Sequence, residues 1–331
     1  MYIVGDSLDD LMRSCLETII EKGTKITSTK GDNRELRGVL VELRNPRARL
    51  SRTEVKGTVF SCLGEALWYL SGSNKLEFVK YYIKGYDKYS DDGETTHGAY
   101  GPRVFRSEQG LSQYQVVVDI LKKKPNTRQA VVQIFDHKDL LKEYKDVPCT
   151  CTMQFFIRDG KLDAVANMRS NDIFLGFPHD IFAFTLIQEI LACTLGCELG
   201  SYKHIAGSLH LYDDNLQRAN MYLDEGWMEP KSMPAMPCDF PWPSIGKVLE
   251  CERAIRNGKM DALPQIEIDD YWLDLIKLLL IFSITKNHTD ASISKAQSIE
   301  STLSTDIYSI YIRKKIETIG KNSEQTTIPS N

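Results

Sequence analysis

No stretch of this chain reaches the roughly 18 consecutive apolar residues of a membrane-spanning helix, so none is predicted. The opening MYIVGDSLDDLM lacks the basic-then-apolar pattern of a secretory leader, and a cytoplasmic protein is expected. A surplus of basic charge is missing too. The formal net charge of −4 argues against a general nucleic-acid binder and leaves room only for a local basic pocket. One candidate is the cluster Arg44, Arg47, Arg49 and Arg52, which reads either as a solvated loop or as a phosphate-binding surface. The eight cysteines are scattered, and a chain of 331 residues needs no disulfide framework, so reduced thiols are expected. No internal repeat is visible.

What is present is an alternation of helical and strand-like patterns. Asp6 or Ser7 caps a helix whose apolar positions run from Leu8 to Ile20 and stop at Gly23. A strand follows over 35–43, and a mostly buried helix over 57–71. Residues 128–136 form a β-branched strand. Residues 148–169 read as a hairpin turning at Arg158-Asp159-Gly160, because Asp-Gly suits a tight turn. An apolar helix over 180–197 leads into a strand over 202–212. Beyond Pro241-Trp242-Pro243 come helices over 246–257, 269–286 and 291–318. The pattern predicts an α/β (α+β) fold: a catalytic domain over 1–245, a helical extension over 246–318 and a disordered tail over 319–331.

Polar residues are oddly placed between Pro148 and Tyr212. Cys149 follows a proline, Arg169-Ser170-Asn171-Asp172 interrupts an apolar stretch, and Asp180 stands at the mouth of a hydrophobic helix. His210 and Tyr212 alternate on one strand and so share a face. Each has a plain structural alternative: a strand cysteine, a helix-capping aspartate, packed aromatics.

The run PCTCTMQFFIRDGKLDAVANMRSNDIFLGFPHD, continued by GSLHLYDDN, resembles the thymidylate synthase family, which includes cytidylate hydroxymethylases. The family pattern is Pro-Cys, a strand pair, Arg-Ser-x-Asp, Leu-Gly-x-Pro-x-Asn and later His-x-Tyr. GEALWYLSG over 64–72 looks like the helix bearing its catalytic glutamate, and HGAYGPR over 97–103 like the loop carrying its tyrosine. The resemblance implies a mixed sheet flanked by helices and a homodimer. It also implies a pyrimidine nucleoside monophosphate and 5,10-methylenetetrahydrofolate as substrates, with no metal. Carried over by motif, Cys149 is the nucleophile, with Glu65, Tyr100 and Asp180 completing the catalytic group. Arg169 and Ser170 hold the phosphate, with Arg128 reaching a neighbour's phosphate and Arg34 or Arg37 serving as the phosphate-loop arginine. His210 and Tyr212 hold the sugar, and Asp172 and Gly176 face the folate.

The chemistry calls for such residues. C5 of a pyrimidine becomes nucleophilic once a thiolate adds at C6, and a guanidinium such as Arg169 favours the thiolate. A carboxylate such as Glu65 manages the proton leaving C5.

The departures are informative. Asp180 stands where uracil-using members have asparagine. A carboxylate would set acceptor against uracil O4, whereas an acid can accept from the 4-amino group of cytosine and, if protonated, donate to N3. A cytosine nucleotide, CMP or dCMP, is therefore expected. The polar C-terminus shows no counterpart of the family's apolar lid, which favours hydroxymethylation over hydride transfer to the one-carbon unit. Thr150 follows the cysteine where members usually carry histidine, and only Arg128-Gln129 represents the arginine pair. A synthase acting on dUMP and a non-catalytic nucleotide-binding relative are the alternatives. A zinc cytidine deaminase is disfavoured, because Pro148-Cys149-x-Cys151 lacks the Pro-Cys-x-x-Cys spacing.

Overall fold

Ser7 starts the first helix, Leu8–Lys22, with a reciprocal cap: its hydroxyl accepts from Asp10 N–H while the Asp10 carboxylate accepts from Ser7 N–H. The computed structural model describes residues 1–28, 30–106, 112–239 and 241–326, with side chains described as far as residue 318. Eight strands form one mixed sheet: β1 (Tyr2–Gly5), β2 (Thr24–Ser28), β3 (Gly31–Leu43), β4 (Val131–Gln133), β5 (Thr150–Arg158), β6 (Lys161–Met168), β7 (Asn171–Asp172) and β8 (Glu198–Tyr212). The order is β1-β3-β8-β6-β5-β4, with β2 added to β3 and β7 added to β8. β3 runs antiparallel to β8, while β6 and β7 run parallel to it.

The β5–β6 hairpin turns where expected. Asp159 and Gly160 both take positive φ, 49° and 75°, which an Asp-Gly pair tolerates. The strand expected over 128–136 is shorter, Val131–Gln133, because it pairs only with the start of β5. Strands β1 and β2, of four and five residues, are too short for periodicity to reveal them.

Helix Phe177–Leu195 is buried along nearly its whole length, between the sheet and helix Val59–Leu70. Phe182 and Phe184 are each buried there, contributing about 1.5–3 kcal/mol apiece. The helix begins three residues earlier than the apolar pattern suggests, with Pro178 in its first turn, where a missing N–H costs nothing.

The C-terminal helices are Pro241–Arg256, Asp270–Ile284, Asp290–Glu300 and Ser309–Thr326. Phe282 stacks on Tyr82 at 5.3 Å and lies 5.7 Å from Phe60, joining these helices to the core beneath Val59–Leu70. The single helix expected over 291–318 is two helices. The break is held from helix Asp270–Ile284: Asp274 accepts from Ser304 N–H at 3.0 Å, and Lys277 donates to the Thr302 carbonyl. The last helix runs into the stretch expected to be a disordered tail, while 327–331 lie outside the described residues.

Two expectations from composition are corrected. Arg47 and Arg49 point inward, and both pair with Glu189, so this part of the cluster is neither a solvated loop nor a phosphate surface. Cys193 and Cys238 form a disulfide, with Cα atoms 4.5 Å apart, so not every thiol is free. Among the described residues no helix is long and apolar enough to cross a membrane.

Candidate active site

Four elements converge on Cys149. The residue sits just before β5, half-buried, and its carbonyl accepts from Arg169 N–H at 2.8 Å across the β5–β6 pair. The Arg169 side chain wraps under the same turn, donating from Nε to Pro148 O at 3.0 Å and from Nη2 to Val147 O at 2.9 Å. Arg169 is exposed, which leaves its charge available to a ligand. Burial pushes the Cys149 thiol up in pKa. Arg169 and Lys30 pull against that shift, while Asp180 and Asp146 add to it. Burial thus opposes the thiolate form that Arg169 favours.

Tyr100 opens helix Tyr100–Phe105, and its hydroxyl oxygen accepts from Thr150 N–H at 3.3 Å. Burial raises its pKa well above the usual phenol value. Tyr100 packs 5.0 Å from Tyr69, whose hydroxyl donates to Glu65 Oε1 at 3.0 Å. The other oxygen of Glu65 meets His179 Nδ1 at 2.6 Å. Asp180, the next residue, is 8% exposed and accepts from Asn171 Nδ2 at 2.7 Å. Burial first, and the nearby Glu65 second, push the Asp180 carboxyl up to about 8.

The sugar-face pair is placed as the alternation requires. His210 and Tyr212 lie on one face of β8 with rings 5.0 Å apart. His210 is flanked by Asp172 on β7 and Glu35 on β3, and burial lowers its pKa. Asp172 Oδ1 accepts from Phe174 and Leu175 N–H groups, and Gly176 caps the helix that follows. Ser170 lies half-buried after Arg169.

Two arginines do not join this group. Arg34 pairs across β3–β8 with Leu211, one residue off His210, so its side chain takes the opposite face and donates to Ile20 O at 3.0 Å. Arg128 stands exposed before β4, and among the described residues no hydrogen bond or ion pair links its side chain to the cluster. A cavity of about 820 Å³ adjoins the Tyr100 loop, lined by His97, Ala99, Arg103, Gln133 and Tyr144 among others. Cys149, Glu65 and Asp180 are not in its wall.

A family model described as thymidylate synthase matches residues 11–246. The chain belongs to the thymidylate synthase family. It is 34% identical over 226 residues to a deoxyuridylate hydroxymethyltransferase of Bacillus phage SP01, covering 64% of this chain and 58% of that protein. It is 35% identical over 164 residues to a deoxyuridylate hydroxymethyltransferase of Pseudomonas phage M6, covering 48% of this chain and 46% of the relative. The match thus takes in less than two thirds of either relative.

Within this thymidylate synthase-family site, sequence inspection missed four residues. Lys30, in the turn between β2 and β3, acts electrostatically on Cys149, His210 and Asp146. Asn171 and His179 hold the two carboxylates. Lys56 is buried against Phe174, its Nζ 4.9 Å from the ring centroid, and burial lowers its pKa to about 8. Of these, Asn171 and His179 left a trace in the sequence: one in the polar interruption 169–172, the other beside Asp180 at the mouth of an apolar helix.

Proposed function

We propose that this protein transfers a hydroxymethyl group to C5 of a pyrimidine nucleoside monophosphate, through a covalent bond between Cys149 and C6. The observation that carries the reading is the meeting of Cys149, Arg169, Glu65 and Asp180 from separate elements in one half-buried cluster. A thiol, a cation, a proton-handling carboxylate and a base-reading group are the parts this reaction needs.

In this reading Arg169 and Ser170 hold the 5′-phosphate, with Lys30 in place of Arg34 as the added cation. His210 and Tyr212 hold the sugar hydroxyl. Arg169 and Lys30 favour loss of the Cys149 proton against the burial that opposes it. Addition of the thiolate at C6 makes C5 electron-rich, and Glu65 directs the proton that later leaves C5.

The one-carbon unit comes from methylenetetrahydrofolate, the co-substrate on which the family draws. The chain's residues fit such a molecule. Lys56 and Arg218 stand 4.9 and 5.0 Å from the Phe174 ring, beside Asp172, and neither has an ion-pair partner within 4 Å among the described residues. A ligand bearing carboxylates matches that pair of cations. Hydroxymethyl rather than methyl as the product is supported by the names of both relatives.

Cytosine is the base we assign. With its pKa near 8, Asp180 is a carboxylic acid at neutral pH, able to donate to N3 and accept from the 4-amino group. Uracil is the second reading, and two observations favour it. Both relatives are named for deoxyuridylate. A neutral acid with its proton on the other oxygen also matches uracil, since the clash of acceptors applies to the carboxylate alone.

Incubation of CMP, dCMP, UMP and dUMP with methylenetetrahydrofolate, followed by mass spectrometry, tests this directly. A gain of one CH2O unit on a cytosine nucleotide is expected. The same gain on uracil alone selects the second reading, and no gain on any of the four defeats the proposal.

A further inference from the structure

His179 stands in an expensive place. It is the third residue of helix Phe177–Leu195, where the helix dipole disfavours a cation, and its side chain is largely buried, which disfavours one again. Its Nδ1 lies 2.6 Å from Glu65 Oε2, and its Nε2 lies 3.2 Å from Ser61 Oγ. Burial pulls its pKa down, but Cys62 and Glu65 outweigh that and hold it at about 10. Both ring nitrogens are therefore committed, and the ring has no freedom to rotate. An apolar residue of similar size would be cheaper for folding alone.

What His179 grips is also informative. Glu65 is fixed at both ends, by His179 on one oxygen and by Tyr69 on the other, while keeping lone pairs on each for a third partner. The clamped carboxylate lies next to Asp180, the base-reading residue, and Tyr69 links it through Tyr100 to the Cys149 turn. The histidine that family members usually carry after the cysteine is Thr150 here, so His179 supplies the cluster with an imidazole from another element.

We infer that His179 is the positioning residue for Glu65, aiming that carboxylate at the water that captures the exocyclic methylene on C5. The inference rests on the hydroxymethylase reading above. In the step it serves, the water oxygen bonds to the exocyclic carbon while one water proton passes to Glu65. The electron pair of the exocyclic double bond closes C5=C6, the C6–S bond breaks, and Cys149 leaves as thiolate. No oxidant or reductant is needed. His179 itself touches neither nucleotide nor water. It fixes where the accepting oxygens sit, and a misplacement of about 1 Å costs on the order of 100-fold in rate.

His179→Leu and His179→Gln separate this from a purely structural role. The readouts are nucleotide dissociation constant and kcat for hydroxymethyl product, on whichever nucleotide the wild type uses. His179→Leu should lose about 100-fold in kcat with nucleotide affinity kept within about threefold. His179→Gln, which retains an N–H donor towards Glu65, should recover about tenfold of that loss. Equal losses in the two variants, or a His179→Leu kcat within threefold of wild type, would overturn the inference. If His179→Leu does not fold, the His179→Gln comparison decides: a kcat fall with affinity kept supports positioning, and an affinity fall with kcat kept opposes it. Product absent from the wild type itself would remove the hydroxymethylase reading, whereas wild-type product with an indifferent His179 removes only this step.

Discussion

Asn171 donates its amide N–H to Asp180 Oδ2 across 2.7 Å, and so marks that oxygen as an acceptor. When Asp180 is protonated, its proton is thereby directed to Oδ1. Asn171 Oδ1 is itself buried without a partner among the described residues, so the surroundings of Asp180 are polar but not self-satisfied. One residue of the family pattern has changed from amide to acid, and the neighbouring amide decides how that acid presents itself.

On the cytosine reading proposed above, this pairing makes recognition of the base pH-dependent. The Asp180 carboxyl is raised to about 8, so the donor to N3 is present below that value and is lost above it. KM for a cytosine nucleotide should therefore be flat from pH 6 to 7.5 and rise about tenfold by pH 9. Asp180→Asn should remove that rise and move preference towards uracil on the order of tenfold or more. KM values for both bases across the pH range check it, and a preference unchanged by Asp180→Asn contradicts it.

Lys30 and Arg34 give a second comparison. Lys30 acts on Cys149 and His210, whereas Arg34 lies on the other face of β3 and bonds Ile20 O. Lys30→Ala should raise nucleotide KM by about tenfold through a lost charge-assisted contact. Arg34→Ala should leave KM within about twofold and lower the melting temperature instead. Steady-state kinetics and a thermal melt on the two variants distinguish them.

Gly64 lies one residue before Glu65, and a Cβ there would stand 2.1 Å from Cγ of the Tyr82 ring. Tyr82 cannot easily retreat, since its hydroxyl donates to Glu252 and its ring stacks on Phe282. Gly64→Ala should cost about 3 kcal/mol of stability in urea unfolding, within the range of overpacked cores. Residual activity should fall with it, because the same helix carries Glu65.

Much of this was legible beforehand. Cys149, Glu65, Tyr100, Arg169 and Asp180 come together as the motif spacing implies, and the Asp159-Gly160 turn follows from two residues that accept positive φ. Arg34 and Arg37 could not be told apart because strand alternation fixes a face only after register is known. The opposite number of Arg34 is Leu211, not His210. The inward turn of Arg49 was hidden for a different reason. An arginine is buried only when a distant carboxylate meets it, and Glu189 lies 140 residues away in sequence. His179 belongs to the same class, since its importance comes from Glu65, which is contributed by another helix.

The central claim is a transient bond from Cys149 to the pyrimidine ring. Tritium release from 5-labelled CMP, dCMP, UMP and dUMP, with methylenetetrahydrofolate present, tests it most directly. Steady release by the wild type is predicted from at least one of the four, none above background from Cys149→Ala, and substantial release retained by Cys151→Ala. Release by Cys149→Ala at the wild-type rate would contradict it.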